Sequence, residues 1–337
     1  MFRGEEDERH ASLLIVANLV KGIHAQSEST SNASDAVDPG ARRDQALLAC
    51  IPDWPEFVEK HLLRSCQDAS VKVRVCGMEC LCLFGDGIWS RFDVSAPVDT
   101  QASSRPRGNT RGPPVAELVD NLRKGASTST ATVVTAVCKL FGSLAACRCI
   151  RSTPWFGTKV TPFLLSCVSD SRSKTIVTVK ACWAVSNLCV SPPSITTVFA
   201  DPAPPSQGQR PHAFLRRVAD ALCDACTRSD KIVGAAMRGI GLLGEQICDI
   251  HTVDRACVTQ LIDVMTACLV QKNTAATKSN KKISNEAAKL IWNVCSSAER
   301  VLRNLHTTDA SLASDNLING LLKTLSTHQN FKVRTSD

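Results

Sequence analysis

The stretch IVTVKACWAVSNLC, residues 176–189, decides the fold. Counted from Val177 as position zero, its apolar residues at positions 0, 4, 8 and 11 are Val177, Ala181, Val185 and Leu188. At 100° per residue these four positions lie within about 80° of one another on a helix. The spacing therefore predicts an amphipathic helix with one narrow buried stripe.

Copies of this helix recur along the chain, and each follows another apolar helical segment. Successive zero positions are 44 to 60 residues apart, at Val73, Val133, Val177, Ile232, Ile283 and Val333. Two helices per repeat and a period near 40–47 residues are typical of α-solenoids. We therefore predict an all-α fold, an α-α superhelix of about five to six two-helix repeats with long loop insertions.

The polar and proline-rich stretches divide the chain into regions. We expect residues 1–26 to form the N-terminal helix of a preceding or capping repeat, 27–46 to be a flexible linker, and 47–337 to be the solenoid. Insertions at 90–114, 200–211 and 271–282 account for the longer spacings, because surface loops lengthen at little entropic cost. The copy at Val333 stops at Asp337, so we expect a truncated last repeat and a chain that is a fragment of a longer protein.

The turn between paired helices carries an acidic residue in three repeats. Asp68, Asp170 and Asp230 each come shortly before a second helix. Aspartate accepts hydrogen bonds from the first backbone N–H groups of a helix and is favoured by the helix dipole there. We therefore predict that these residues cap the second helices.

Composition favours a tightly packed helical core in a reducing compartment. Of 337 residues, 44% are hydrophobic but only 4% aromatic, and tyrosine is absent. Most of the 17 cysteines lie inside apolar helical runs, where reduced cysteine behaves as a small hydrophobic residue. The charged N-terminus does not fit a secretory signal, and no early apolar run could span a membrane. We expect a soluble protein of the cytoplasm, the nucleus or both.

Three segments carry a resemblance to a known class of proteins. Residues 71–74 (VKVR), 180–188 (KACWAVSNL) and 330–334 (NFKVR) resemble HEAT/armadillo repeat proteins, and most closely the HEAT repeat-containing protein 6 group. Residues 180–188 also resemble the Trp-x-x-x-Asn pattern of importin-α armadillo repeats, where the two side chains grip an extended peptide. Only Trp183 and Asn187 match that pair in full. The resemblance implies a solenoid that binds proteins but lacks the importin-α ladder.

Two motifs suggest chemistry, but their context favours structural roles. Gly239, Gly241 and Gly244 match the dinucleotide fingerprint GxGxxG, which requires a strand ahead of it; here the glycines fall within a helical pattern and suit helix crossings. Cys223 and Cys226 form the one CxxC, and no second pair lies at zinc-site spacing. We predict no enzyme activity, no cofactor and no metal site.

The remaining candidate is a surface formed by the second helices. Positions 6 and 10 of the repeats, on the expected concave side, include Lys139, Trp183, Asn187, Arg238, Lys289 and Asn293, together with Glu79. An aromatic residue among cations suits protein partners with acidic or extended segments. Two alternatives stay open: Trp183 packs between repeats, and the charges form a solvated face.

This surface favours a non-enzymatic scaffold or adaptor. A karyopherin-like carrier of peptide or protein cargo is the second hypothesis. A nucleic-acid-associated scaffold is the third and weakest, because it rests on a net charge of +7 and on basic loops without aromatic residues for base stacking. No membrane partner is expected.

Overall fold

The chain folds into two compact helical units, Met1–Phe163 and Leu164–Asp337. The computed structural model describes residues 5–29, 39–50, 53–92, 115–153, 155–190, 213–249, 255–278, 285–308 and 315–327. All regular elements in these ranges are helices, and none of them contains a strand. The all-α prediction is confirmed.

The first unit holds nine helices and two π-helical turns in the described ranges, as follows. They are α1 (Glu6–Ser29), α2 (Pro39–Cys50), α3 (Trp54–Phe57), a π-turn (Val58–Leu62), α4 (Leu63–Ser65), α5 (Val71–Leu81), α6 (Asp86–Trp89), α7 (Val115–Ala126), α8 (Ala131–Ala146), α9 (Arg148–Arg151) and a second π-turn (Phe156–Val160). α10 (Thr161–Ser169) contains the boundary between the units.

The first unit has three rows of helices. α1, α5 and α8 pack side by side, and the helices that precede α5 and α8 lie against them as first helices of their repeats. Three shorter helices, α2, α6 and α9, follow α1, α5 and α8 and pack on one another as a third row. The sequence pattern predicted two helices per repeat, so this third row is an addition to it.

The second unit has two rows of helices. Its elements are α11 (Thr175–Leu188), α12 (Ala213–Ala225), α13 (Asp230–Asp249), α14 (Arg255–Lys278), α15 (Asn285–Thr308) and α16 (Asp315–Thr327). α11, α13 and α15 are the second helices of successive repeats, and each packs on the next. α12, α14 and α16 form the other row.

The stripe positions form the core between the rows. The stripe residues of the first four copies are buried, namely Val73, Gly77, Leu81 and Phe84; Val133, Val137, Phe141 and Leu144; Val177, Ala181, Val185 and Leu188; Ile232, Ala236, Ile240 and Leu243. Ile291 and Val294 of the fifth copy are also buried. The zero positions Ile283 and Val333 lie outside the described residues.

Two predicted loop regions are partly helical. Two parts of the flexible linker predicted over 27–46 are helical, because α1 continues to Ser29 and α2, which buries Leu47, begins at Pro39. The sequence of α2 has few large apolar residues among its polar ones, so its helical period is weak. α14 continues to Lys278, into the insertion predicted over 271–282. The insertion at 200–211 and most of that at 90–114 lie outside the described residues.

The prediction that aspartates cap the second helices is wrong at α5. The cap of α5 is Ser70, whose Oγ accepts a hydrogen bond from the Val73 N–H at 3.4 Å. Asp68 instead accepts from the Ser70 N–H at 2.9 Å and pairs with Arg9 of α1. Asp170 likewise accepts from the Arg172 N–H within its own turn. These carboxylates stabilise the turns rather than the helix ends.

Two aspartates join the third row of the first unit from repeat to repeat. Asp44 of α2 accepts hydrogen bonds from the N–H groups of Gly85, Gly87 and Ile88 at 3.0, 2.7 and 3.3 Å. Asp86 of α6 accepts from the N–H groups of Arg148 and Cys149 at 2.8 and 2.9 Å, at the start of α9. Each carboxylate thus satisfies N–H groups that a helix start leaves without partners.

No disulfide links the sixteen cysteines whose side chains the structure describes. Burial raises the pKa of the Cys182, Cys189 and Cys223 thiols to about 12. These side chains therefore stay protonated and pack as apolar groups. None of the described helices combines the length and the apolar character needed to cross a membrane.

Candidate partner-binding groove

The second unit carries a groove across α11, α13 and α15, with a volume of about 710 Å³. Each of the three second helices contributes to its lining. The lining residues are Thr175, Ile176, Val179, Lys180, Trp183, Asp230, Lys231, Gly234, Ala235, Arg238, Lys289, Leu290 and Asn293. The groove therefore spans three consecutive repeats.

Glycines of α13 let it pack closely against its neighbours below the groove. A methyl group on Gly241 would lie 2.8 Å from the Ser297 Cα, and one on Gly244 would lie 2.4 Å from a Val301 methyl group, both on α15. Gly239 meets Leu222 of α12 in the same way, at 2.9 Å. The interpretation of GxGxxG as a helix-crossing motif is confirmed.

Polar side chains of α15 fix the register of this crossing. The Asn293 Nδ2 donates to the Gly234 carbonyl at 3.0 Å, and the Ser297 Oγ donates to the Met237 carbonyl at 2.6 Å. Side-chain hydrogen bonds to helical carbonyls are directional, so they fix how far one helix slides along the other. Asn293 therefore lines the groove while its amide nitrogen is already engaged.

The α11 side of the groove is apolar. Trp183 is half-buried, Val179 lies one turn before it, and Ile176 is 51% exposed. The Lys180 Nζ lies 6.0 Å from the centre of the Trp183 ring, within cation–π range. Trp183 is thus neither fully exposed to solvent nor fully buried between repeats, and its ring forms a wall of the groove.

Positive charge dominates the rest of the lining. Four cations, Lys180, Lys231, Arg238 and Lys289, face one carboxylate, Asp230. Within the described residues, no ion pair includes Lys180, Arg238 or Lys289. Arg238 and Lys289 are exposed. A groove with this excess of cations attracts acidic groups.

The structure brings four of the six predicted site residues together. Trp183, Arg238, Lys289 and Asn293 line the groove, whereas Asn187 is 8% exposed and does not. The Asn187 Oδ1 accepts a hydrogen bond from the Arg238 Nη2 at 3.5 Å, so it positions that guanidinium instead. The expected outward pair of Trp183 and Asn187 is thereby corrected, because the second member points inward.

Lys139 does not line the groove. It belongs to the first unit, where its Nζ lies 3.2 Å from the Glu79 Oε1. Both residues are at position 6 of their repeats, and their pairing shows that neighbouring position-6 side chains of the first unit can reach each other. The predicted surface at positions 6 and 10 is thus basic in the second unit, whereas in the first unit its Lys139 and Glu79 form an ion pair with each other.

Several lining residues were missed by counting only positions 6 and 10. On α11 and α13 the lining includes positions −1, 2, 3 and 6 of the repeat, which are Ile176, Val179, Lys180 and Trp183 on α11 and Lys231, Gly234, Ala235 and Arg238 on α13. At 100° per residue these positions share a face about 100° wide. That shared face, opposite much of the buried stripe, was available from the sequence.

The described residues show no cluster of three or more histidine, cysteine or acidic side chains with the geometry of a metal site. Cys223 of the CxxC is buried on α12, which fits its interpretation as a core cysteine. Burial also raises the pKa of the Cys226 thiol. His212, which lies eleven residues upstream of Cys223 in the sequence, is outside the described residues.

Comparison with known proteins places the fold. No family model matches the chain, and no curated protein is similar to it. The chain is similar to the crystal structure of importin beta, with 14% identity, a TM-score of 0.53 and 97% of this chain covered. The fold is an all-α solenoid of the HEAT/armadillo class.

This chain spans 35% of the length of the importin beta chain that it matches. Two designed armadillo repeat proteins, one of them in complex with the peptide (KR)4, are 13% identical to it. Each alignment covers 84% of this chain and 95% of the designed one, with TM-scores of 0.42 and 0.44. At 14% identity the likeness to importin beta concerns the fold alone.

Proposed function

We propose that this chain is a non-enzymatic scaffold or adaptor that binds protein partners in the groove of α11, α13 and α15. The observation that carries the proposal is a half-buried Trp183 in one groove with Arg238 and Lys289, two exposed cations outside any described ion pair. Aromatic residues and arginine are the side chains most often found at the centre of protein interfaces.

The partner is an acidic, extended protein segment. Arg238 and Lys289 supply donors for carboxylates, and charge-assisted hydrogen bonds are stronger than neutral ones. Trp183, Val179 and Ile176 supply an apolar wall for an aliphatic side chain. A segment that combines both kinds of residue would use the whole lining.

The karyopherin-like alternative has less support. Gripping a peptide backbone in the importin-α manner needs an accessible asparagine side chain, but Asn187 is buried and its Oδ1 accepts a hydrogen bond from Arg238. The nucleic-acid alternative rests on charge alone, with its loop cations Arg105, Arg107 and Arg111 outside the described residues.

Within the solenoid class, we propose membership in the HEAT repeat-containing protein 6 group, on the three segments that resemble it. The many buried, protonated thiols suit the reducing conditions of the cytoplasm or the nucleus. The proposed group membership and the proposed compartment are both independent of the groove and of its ligand.

Charge reversal in the groove tests the function. Arg238→Glu with Lys289→Glu should weaken binding of a fluorescein-labelled peptide of leucine, serine and glutamate by at least about 10-fold, since attraction is replaced by repulsion at two sites. The measurement is fluorescence anisotropy with the full chain at fixed salt. Arg172→Glu with Arg217→Glu is the matched control, because both arginines are exposed, belong to the second unit and do not line the groove.

The control variant should bind as the unchanged protein does. Equal weakening in both variants would mean general charge attraction and would contradict a specific groove. Circular dichroism of all three proteins must show the same helicity. A labelled single-stranded oligonucleotide that binds more tightly than the acidic peptide would favour the nucleic-acid alternative instead.

A further inference from the structure

We infer that the groove recognises a polyproline II segment with a three-residue period: an aliphatic anchor on Trp183, an acidic residue three positions along at Arg238, and another three positions further at Lys289. The inference rests on the proposed function and specifies the ligand of that same site. The inference follows from the positions of Trp183, Arg238 and Lys289 and from the rise per residue of the conformations that a bound peptide can adopt.

The three side chains occupy equivalent places on consecutive helices. Trp183 of α11, Arg238 of α13 and Lys289 of α15 are each at position 6 of their repeat, counted from Val177, Ile232 and Ile283. All three line the groove, so it presents one such side chain per helix. A ligand that contacts all three must cross the helices and meet them in order.

The distance between successive contacts is set by helix packing. α11 packs on α13 and α13 on α15, and packed helix axes are about 8–10 Å apart. The glycine crossings keep α13 and α15 close, because Gly241 and Gly244 bring the backbones together. A bound chain must therefore return a side chain to the groove floor about every 9 Å.

Polyproline II meets this requirement. It rises about 3.1 Å per residue with three residues per turn, so every third side chain points the same way after about 9.3 Å. In a β-strand the third side chain points to the opposite side, and the second and fourth fall at about 6.6 and 13 Å. An α-helix needs seven residues for a span of about 10.5 Å and is about 10–12 Å wide.

The amides of the groove also favour polyproline II. A β-strand ligand depends on backbone hydrogen bonds from its receptor, but the Asn293 Nδ2 already donates to the Gly234 carbonyl, and Asn187 lies outside the lining with its Oδ1 accepting from Arg238. A polyproline II backbone is solvated and needs no such ladder. Recognition then depends on side chains, with carboxylates on the two cations and an aliphatic group against Trp183 and Val179.

Peptides of one composition and different spacing test the period. We expect Leu-Pro-Ser-Glu-Pro-Ser-Glu, or the same chain written in reverse, to bind the full chain at least 10-fold more tightly than versions whose leucine and glutamates are two or four residues apart. An alanine-rich helical peptide with seven-residue spacing is a further arm. Equal affinity at all spacings, or tightest binding of the helical peptide, would overturn the inference.

Charge exchange tests which cation meets which residue. The Arg238→Glu variant should regain peptide binding when the glutamate nearer the leucine is replaced by lysine. The Lys289→Glu variant should regain it when the glutamate farther from the leucine is replaced. Rescue by either lysine regardless of position would contradict the assignment. If no acidic peptide responds to Arg238 and Lys289, the proposed function itself fails; if acidic peptides bind through these cations without a period, only the three-residue pattern fails.

Discussion

A single carboxylate, Asp44, holds together two helices that are distant in sequence. It is 1% exposed and accepts three backbone hydrogen bonds at the start of α6. Burial raises the pKa of Asp44 above its usual value, against the effect of the three amide donors. The folded state therefore holds this proton more tightly than the unfolded one, and the contribution of Asp44 to stability falls as pH rises through the range just above its usual pKa.

We expect Asp44→Ala to lower the free energy of unfolding of the first unit by about 2–3 kcal/mol, because buried N–H groups would lose their acceptor. Asp44→Asn, which keeps one acceptor oxygen, should cost less. Urea unfolding followed by tryptophan fluorescence measures both. Gln45→Ala, at an exposed neighbour on the same helix, should change stability by less than about 0.5 kcal/mol, and an equal loss there would contradict the role of Asp44.

At the scale of elements, the close crossing of α13 and α15 supports the groove floor. Gly241 and Gly244 have no room for a side chain, since atoms of Ser297 and Val301 occupy the space. The same face of α13 carries Gly234, where a methyl group would make an ordinary contact at 3.4 Å. The space beside Gly234 is therefore larger than that beside Gly241 and Gly244, although the Asn293 Nδ2 still bonds the Gly234 carbonyl there.

Gly241→Ala should destabilise the second unit by about 1–3 kcal/mol, because overpacking outweighs the gain in helix propensity. Gly125→Ala on α7 is the matched control, with nothing within 4 Å of the added methyl group, and should stabilise by up to about 1 kcal/mol. Thermal unfolding by circular dichroism compares the two. A stabilising Gly241→Ala would show that the crossing can relax.

At the scale of the whole molecule, thiols and small apolar residues fill much of the core beside a few buried aromatic rings, such as Trp89 and Phe141. Twelve of the sixteen cysteines whose side chains the structure describes are buried, and Cys50 is the exposed one among them. Buried thiols with raised pKa values form little thiolate, which is the reactive species. Reactivity should therefore separate core thiols from surface thiols.

Thiol titration of the native protein at pH 8 should show a fast phase that includes Cys50 and a slow phase from the core. Cys50→Ser should remove one equivalent from the fast phase, whereas Cys223→Ser should leave it unchanged. Under denaturing, non-reducing conditions nearly all 17 cysteines should react. Several missing equivalents would indicate disulfides and contradict the reducing compartment.

Local rules predicted the helices well, and contacts between distant residues explain what they missed. The stripe at Val177 and its copies predicted the buried face, since helix periodicity alone fixes which side is apolar. The helix at Pro39–Cys50 was missed because its contacts are with distant residues: Asp44 accepts hydrogen bonds at the start of α6, and the helix packs on α1. The inward position of Asn187 depended on Arg238, which is 51 residues away.

The sequence alone determined the solenoid class, the pairing of a first and a second helix in the repeats, the core stripe and the basic character of the later second helices, because these depend on residue type and helical period. Tertiary structure alone decided that Trp183, Arg238 and Lys289 share one groove while Asn187 lies beneath it and Lys139 is paired with Glu79. The reason is that a helix presents a face about 100° wide, and only packing determines which part of that face stays open.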